Sequence, residues 1–140
     1  MQKGITIVEL ILVIAVIVIL GTLATPFMSR FVDQNNFEAT RDMLIGSLRK
    51  AQLNSMNGKN AEIWGVCIIG GQIRLYSSSC SAPGISEDYK IPSNVTIGGL
   101  SDISFSSLQG TPSVAGAFSI QSETKSSLIT INDVGGMDIN

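Results

Sequence analysis

Residues 5–24 read ITIVELILVIAVIVILGTLA, and this stretch decides the organisation of the chain. Its one charged residue is Glu9, near the amino-terminal end. At the helical rise of about 1.5 Å per residue, the stretch covers about 30 Å, which is the thickness of the hydrocarbon layer of a bilayer. A helix also satisfies every backbone N–H and C=O internally, as lipid surroundings require. The pattern therefore predicts a membrane-spanning helix over residues 5–24.

Residues 25–57 predict an amphipathic helix that continues from this segment. Pro26 lacks a backbone N–H and crowds the preceding turn, so we expect a kink near residues 22–26. Asn57 and Gly58 tolerate the left-handed conformation that closes a helix, so we expect the helix to end near Asn57. Apolar side chains fall on one helical stripe between these points: Phe27, Phe31, Leu44, Leu48 and Ala51.

Residues 58–140 predict a globular β domain, because short β-prone runs alternate there with Gly, Ser and Pro. Residues 63–69 and 72–76 flank Gly70-Gly71, a connection suited to a hairpin turn. Further strands are predicted at residues 95–97, 103–105, 117–121, 127–131 and 137–139, and the serine-rich residues 77–86 predict a loop. The predicted fold class is α+β, in which a long helix, membrane-spanning and then amphipathic, packs on an antiparallel β domain.

Alternation within two of the predicted strands identifies a candidate core. Phe118 and Ile120 in one strand, and Ile129 and Ile131 in another, alternate with polar residues and are expected to face inward. Trp64 and the nearby Tyr76 are interpreted as core or cross-strand residues, because aromatic side chains fill sheet faces more often than they form ligand platforms.

The composition argues against several classes of function. Nine Lys and Arg against eleven Asp and Glu give a formal net charge of −2, whereas nucleic-acid binding depends on clustered cations. The absence of His removes the commonest general base and the commonest metal ligand. Two Cys without His cannot complete a structural zinc site. We therefore expect no enzyme, no cofactor, no metal and no nucleic-acid partner.

Glu9 is the most informative polar residue. A carboxylate inside a spanning helix costs about 2.5 to 3.5 kcal/mol at mid-membrane, so its presence there needs a reason. One interpretation is a side chain that extends to the membrane surface. The other is a carboxylate that pairs with a positive group, such as the free amino group of a processed terminus, when subunits pack side by side.

The amino terminus resembles the signal of type IV pilins and pseudopilins. The residues that carry the resemblance are Lys3-Gly4-Ile5-Thr6-Ile7-Val8-Glu9-Leu10 and the apolar run after them. The resemblance implies that a prepilin peptidase cuts after Gly4, leaving residues 1–4 as the leader, and methylates the new terminus at Ile5. It makes Glu9 the fifth residue of the mature chain, an assembly residue, and it places Pro26 at the family's helix-breaking proline. Ile5 departs from the Phe or Met that is more usual there.

The rest of the chain resembles the GspH/FimT subfamily of minor pilins and type II secretion pseudopilins. The resemblance rests on the basic helix end 49–52, on residues 103–105 with Gly110, and on residues 128–131 with Gly135. It implies a structural filament subunit whose partners are other pilin or pseudopilin subunits, the prepilin peptidase and the inner membrane. The subunit would be single-pass with its β domain outside the cytoplasm, and later part of a pilus or periplasmic pseudopilus. Its carboxy-terminal residues 136–140 lack the cations of DNA-binding FimT-like tails.

Cys67 and Cys80 are close enough in sequence to close a small ring. A disulfide of this spacing stabilises by about 3 kcal/mol on the loop-entropy estimate. The alternative is two inert, partly buried thiols. Because the leader implies an oxidising compartment for the β domain, the disulfide is favoured.

Two alternative functions stay open. In the first, residues 1–24 form a conventional signal peptide that is cleaved after Ala24, and the product is a secreted soluble β protein. In the second, loops at residues 77–86 or 108–116 bind a ligand at a filament tip or take part in DNA uptake.

Overall fold

The computed structural model describes residues 6–140, apart from the side chains of residues 23–27. Within this range the chain forms the helix α1 at Ile7–Met56, a short 3₁₀ turn at Lys59–Ala61 and eight strands. The strands are β1 (Trp64–Ile69), β2 (Gln72–Ser77), β3 (Ser86–Lys90), β4 (Thr96–Gly99), β5 (Asp102–Phe105), β6 (Gly116–Gln121), β7 (Ser126–Ile131) and β8 (Met137–Ile139). Two compact units result: the amino-terminal unit ends at Val32, and the carboxy-terminal unit covers Asp33–Asn140.

The first correction concerns the membrane-spanning helix predicted over residues 5–24. In the part of the chain that is described, no helix has both the length and the apolar character needed to cross a membrane. The prediction of a membrane-spanning first half is therefore wrong. The α+β class with an antiparallel β domain agrees with the structure.

The β strands form two four-stranded antiparallel sheets. Sheet A has the order β3-β2-β1-β5, and sheet B has the order β4-β6-β7-β8. The β1–β2 hairpin was predicted from Gly70-Gly71, and the structure confirms it: Ile69 pairs with Gln72 across the turn. Gly70 and Gly71 have φ angles of 58° and 71°, as a two-residue turn with left-handed central residues requires.

One hydrophobic core joins α1 to both sheets within the carboxy-terminal unit. The helix contributes one buried face, sheet A contributes alternate residues of β1, β2 and β5, and sheet B contributes alternate residues of β6 and β7. The most deeply buried large side chains are Leu44, Leu48, Trp64, Val66, Ile73, Leu75, Ile103, Phe105, Phe118, Ile120, Ile129 and Ile131. The inward orientation predicted for the β6 and β7 residues is confirmed, and so is the burial of Trp64 and Tyr76.

The helical stripe was predicted only in part. Leu44, Leu48 and Ala51 are buried as predicted, but Phe31 is 59% exposed, and Phe37 occupies the core instead with 2% exposure. Phe31 belongs to the amino-terminal unit, which ends at Val32, whereas Phe37 belongs to the unit that contains the core. The side chain of Phe27 lies outside the described residues.

Strand β3 was missed by the sequence pattern. Its residues alternate between exposed and half-buried, and its sequence SEDYK carries three charges and no aliphatic residue. Among the described strands it pairs with β2 alone, and it forms one edge of sheet A. Charged residues on an edge strand discourage pairing with other chains, and they also remove the hydrophobic alternation by which a strand is recognised.

Candidate assembly surface

The start of α1 is capped by a side chain. The Thr6 Oγ1 accepts a hydrogen bond from the Glu9 backbone N–H at 3.3 Å, and the Thr6 carbonyl accepts the Leu10 N–H at 3.1 Å. Thr followed three residues later by Glu is the spacing of a capping box. Glu9 therefore lies in the first turn, where the positive end of the helix dipole favours a carboxylate. The sequence analysis considered for Glu9 a place at the membrane surface and a pairing between subunits, and it missed the cap by Thr6, although the spacing could have revealed it.

The amino-terminal part of α1 exposes apolar side chains in every direction. Twelve large apolar residues between Ile7 and Leu20 are 46% to 76% exposed. Because they occupy nearly consecutive positions, they surround the helix rather than forming one stripe. Contiguous apolar surface beyond a few hundred Å² marks an interaction site in soluble proteins. Residues 7–20 are thus a surface for apolar association.

The predicted processing positions lie outside the described residues, and so does the side chain of Pro26. Gly4 and Ile5 precede the first described residue, and the side chain of Pro26 falls within residues 23–27. Cleavage after Gly4, methylation of Ile5 and a kink near Pro26 therefore stay predictions. Glu9 is the one predicted assembly residue whose surroundings are described, and its side chain is exposed.

A disulfide joins Cys67 to Cys80 on the outer face of sheet A. Cys67 lies within β1, Cys80 lies in the loop between β2 and β3, and their Cα atoms are 6.2 Å apart. Arg74 supports the same loop, because its guanidinium donates to the Cys80 carbonyl at 3.3 Å. The guanidinium also binds both oxygens of Asp88, at 2.7 and 2.9 Å, which lowers the pKa of that carboxyl. Two independent links therefore hold the loop on the sheet.

Tyr76 crosses the outer face of sheet A above a glycine. Tyr76 is paired with Gly65 on β1, and a Cβ added to Gly65 would lie 2.5 Å from the Tyr76 Oη. The phenol passes over Gly65 and donates to Asp102 Oδ1 on β5 at 2.6 Å. Burial, followed by this hydrogen bond, raises the pKa of Tyr76 well above its ordinary value. The glycine is therefore required for the ring to lie across the strand.

Asp33 fastens α1 to two connections of the β domain. Its carboxylate accepts hydrogen bonds from Thr124 Oγ1 at 2.6 Å, Asn94 Nδ2 at 2.6 Å and Ser122 Oγ at 3.2 Å. Asn36 Nδ2 in turn donates to the Asn94 side-chain oxygen at 3.0 Å. The hydrogen bonds from Thr124, and then those from Asn94 and Ser122, lower the pKa of Asp33. We call Asp33 and its three donors the Asp33 clamp.

Ion pairs reinforce the contact between the carboxy-terminal part of α1 and the β domain. Lys125 lies 2.8 Å from Glu38 Oε1 and lowers the pKa of Glu38, with a further contribution from Arg41. Lys50 lies 2.6 Å from both oxygens of Glu87 on β3 and lowers the pKa of that carboxyl. Sequence reasoning missed these residues and the Asp33 clamp, because their partners lie 37 to 91 positions away in the chain.

The described polar side chains form structural hydrogen bonds and ion pairs between elements of the fold. Across residues 6–140, no three His, Cys, Asp or Glu side chains come together as a metal site would require. The perturbed carboxylates described above are all bound to cations or hydroxyl and amide donors. Each of these pKa shifts is thus explained by a contact that joins elements of the fold.

No known protein-family model matches the chain, and no curated protein or solved structure matches it either.

Proposed function

We propose that the chain is a structural subunit, of the minor pilin or pseudopilin kind, in a type IV pilus-like or type II secretion filament. The observation that carries the proposal is the apolar surface around residues 7–20, which the chain leaves exposed on all sides. Side-by-side packing with the equivalent helices of other copies buries that surface. Burial of each such side chain contributes about 1.5 to 3 kcal/mol at most, so a dozen of them provide a strong driving force.

Glu9 sets the register of this packing in the proposed filament. It is the only charged residue among residues 5–24, and it lies in the first turn of α1. After cleavage behind Gly4, the free amino group at Ile5 of a neighbouring copy supplies a positive partner for the carboxylate. Once apolar side chains surround this pair, leaving either charge without its partner costs about 2 to 5 kcal/mol.

The β domain lies outside the cytoplasm in this proposal. The Cys67–Cys80 disulfide supports that location, because disulfides persist in oxidising compartments and are rare in the cytosol of mesophiles. The proposal assigns the chain no enzymatic activity. Its partners are other pilin or pseudopilin subunits and the prepilin peptidase.

The test measures incorporation of full-length variants into filaments sheared from cells that carry the assembly machinery. Glu9→Gln keeps a residue that can serve in the capping box but removes the charge, so we expect incorporation to fall at least about tenfold. Thr6→Ala is the matched control, because it removes the cap and keeps the carboxylate. Wild-type incorporation of Glu9→Gln would refute the register role, and absence of the wild-type chain from filaments would refute the proposed function.

Mass spectrometry of the mature amino terminus provides a second test. We expect the mature chain to begin at Ile5, carrying one methyl group. A mature chain that begins at Thr25 would show removal of a conventional signal peptide, and with it the loss of the apolar surface on which the proposal depends.

A further inference from the structure

The two edges of sheet A are protected against pairing with a further strand. Strand β3, at one edge, carries three charges. At the other edge, residues 111–113 lie along β5. The Ser113 N–H donates to the Ser104 carbonyl at 2.7 Å, and the Ser106 N–H donates to the carbonyl of residue 111 at 2.8 Å. The backbone of β5 is therefore already occupied on its outer side at these positions.

The outer edge of β8 in sheet B is open. Asn140 and Leu128 exchange two backbone hydrogen bonds, of 3.0 and 2.8 Å. Because bonded and non-bonded pairs alternate along an antiparallel ladder, Asp138 also bonds to β7, while the backbone groups of Met137 and Ile139 face away from it. In the described part of the chain β8 pairs with β7 alone, and the Ile139 side chain is 45% exposed. This edge can accept a strand.

The outer edge of β4 is open in the same way. The Leu100 N–H donates to the Ala117 carbonyl of β6 at 3.0 Å. By the same alternation Gly98 also bonds to β6, whereas the backbone groups of Ile97 and Gly99 face away from it. Among the described strands β4 pairs with β6 alone, and its sequence carries no charge that would discourage another strand. Sheet B thus has an open edge on each side.

The edges of β4 and β8 match each other. Each presents two outward-facing residues separated by one position, and Ile97 and Met137 both pack against the hydrophobic core, so the two edges share an apolar inner face. Each strand of sheet B is antiparallel to the next, so β4 and β8 run in opposite directions. A second copy placed beside the first in the same orientation therefore brings its β4 antiparallel to β8.

We infer that β8 of one copy pairs with β4 of a second copy, so that sheet B continues from copy to copy. In this register Ile139 exchanges both backbone hydrogen bonds with Ile97 of the second copy, and Met137 does the same with its Gly99. The exposed part of the Ile139 side chain packs on Ile97 across the new strand pair. Addition of a strand to an open edge is a common mode of protein recognition.

The charge of Asp138 favours this pairing over a closed one. Antiparallel pairing of β8 with β8 about its centre would place Asp138 directly opposite Asp138, and like charges at that position are destabilising. In the inferred pairing Asp138 lies opposite Gly98 of the second copy, which carries no charge. Each contact uses a different edge on the two copies, so every copy keeps one open edge for a further copy and the assembly does not close.

This inference rests on the proposed function and names where the β domains of neighbouring copies meet. A contact of two outward-facing residues on each strand is far smaller than the interfaces that hold two proteins together alone. It therefore acts between copies that the apolar surface of residues 7–20 has already brought to a high local concentration.

Proline at position 139 tests the pairing in the full-length chain. Ile139→Pro removes an N–H that faces away from β7, so the fold of each copy is kept, but it removes a hydrogen bond of the inferred contact. We expect incorporation into filaments to fall at least about fivefold. Ile139→Val keeps the N–H and is the matched control, expected within about twofold of wild type. Fluorescence of the buried Trp64 verifies folding, and normal incorporation of folded Ile139→Pro would overturn the inference.

Charges placed across the contact give a test that leaves the backbone unchanged. Gly98→Asp puts a carboxylate opposite Asp138 of the neighbour, and we expect it to lower incorporation about threefold. A Cβ there lies 3.0 Å from the Ser119 Oγ, which can rotate to another rotamer. Adding Asp138→Lys should restore incorporation to within about twofold of wild type, whereas Asp138→Lys alone should change it little. A folded double variant that incorporates no better than Gly98→Asp would overturn the inference.

Cross-linking measures the register directly. The inferred register places Asn140 of one copy opposite Thr96 of the next, in a non-bonded pair whose side chains lie close together. Each of two full-length chains carries one new thiol, Thr96→Cys or Asn140→Cys, and a short bis-maleimide is used because the native cysteines are joined to each other. We expect links between positions 96 and 140 in mixed filaments and none in filaments of either variant alone. Absence of the mixed link would overturn the inference, and so would links within one variant.

The two proposals fail in different ways. Absence of the wild-type chain from filaments contradicts the proposed function itself. If the wild-type chain enters filaments but the link between positions 96 and 140 does not form, the proposed function stands and only the pairing of β8 with β4 is overturned.

Discussion

Replacement of Gly65 by alanine tests how tightly the outer face of sheet A is packed. The new methyl group would lie 2.5 Å from the Tyr76 Oη, and its second neighbour, the Ile103 carbonyl oxygen at 2.6 Å, belongs to the backbone of β5. The tyrosine ring can give way only by leaving its position above β1. That movement breaks its 2.6 Å hydrogen bond to Asp102.

The expected cost follows from two contributions. Overpacking of a well-filled site costs about 1 to 3 kcal/mol. A hydrogen bond to a charged group contributes about 1.5 to 3 kcal/mol to stability. Because Asp102 is exposed, we expect the contribution of its hydrogen bond with Tyr76 to lie at the lower end of that range. Because part of each contribution is recovered when the ring relocates, we expect Gly65→Ala to lower the free energy of unfolding by about 2 to 4 kcal/mol. The total free energy of unfolding of a small domain is about 5 to 15 kcal/mol, so the expected loss is a large fraction of it.

The assay is urea unfolding of the full-length chain in a mild detergent, followed by the fluorescence of Trp64. Trp64 is 1% exposed, so its emission reports the loss of the core. Gly46→Ala is the matched control: a Cβ there meets nothing, and alanine in a helix interior is expected to stabilise by about 0.5 to 1 kcal/mol. If Gly65→Ala unfolded within about 0.5 kcal/mol of wild type, the ring would not be held over the glycine, and the reasoning would be wrong.

Two further predictions concern the same unit. Replacing both Cys67 and Cys80 by serine should lower the free energy of unfolding by about 2 to 4 kcal/mol, measured by urea unfolding, and a reducing agent should then have no further effect on the variant. Its hydrogen-bond donors lower the pKa of Asp33 in the folded chain. The contribution of Asp33 to stability is therefore fully present above the pKa that it has in the unfolded chain, about 4, and is lost as the pH falls through its lower pKa in the folded chain. The melting temperature should therefore drop on acidification below about pH 4, and Asp33→Asn should show a shallower drop; parallel curves would contradict the role of the clamp.

Local signals in the sequence predicted the local parts of the fold. Gly70-Gly71 identified the β1–β2 hairpin because two adjacent left-handed residues favour a tight turn wherever they occur. Phe118 and Ile129 were placed in the core by alternation, and the structure pairs them directly across β6 and β7. Each of these predictions depended on residues within one or two strands.

Contacts between distant segments could not be predicted in this way. The Asp33 clamp joins α1 to residues 61 to 91 positions later, and nothing near Asp33 indicates those donors. Strand β3 lacks a hydrophobic pattern, because polar contacts take part in holding it on the sheet. Its Asp88, for example, accepts a hydrogen bond from Arg74 of the neighbouring strand. The membrane-spanning prediction relied on the apolar length of residues 5–24, whereas no helix in the described part of the chain has both the length and the apolar character to cross a membrane.

The exposed glycine of α1 allows a last prediction, which concerns stability. Gly46 destabilises a helix by about 0.5 to 1 kcal/mol relative to alanine. A Cβ added to Gly46 would meet no atom within 4 Å in the described part of the chain, so a methyl group there would not be opposed by any contact.

Gly46→Ala should therefore raise the free energy of unfolding by about 0.5 to 1 kcal/mol. Urea unfolding of the variant and of the wild type, followed by the fluorescence of Trp64, measures the difference. If the variant unfolded at the same urea concentration as the wild type or at a lower one, the added methyl group would disturb a contact at position 46, and the reasoning would be wrong.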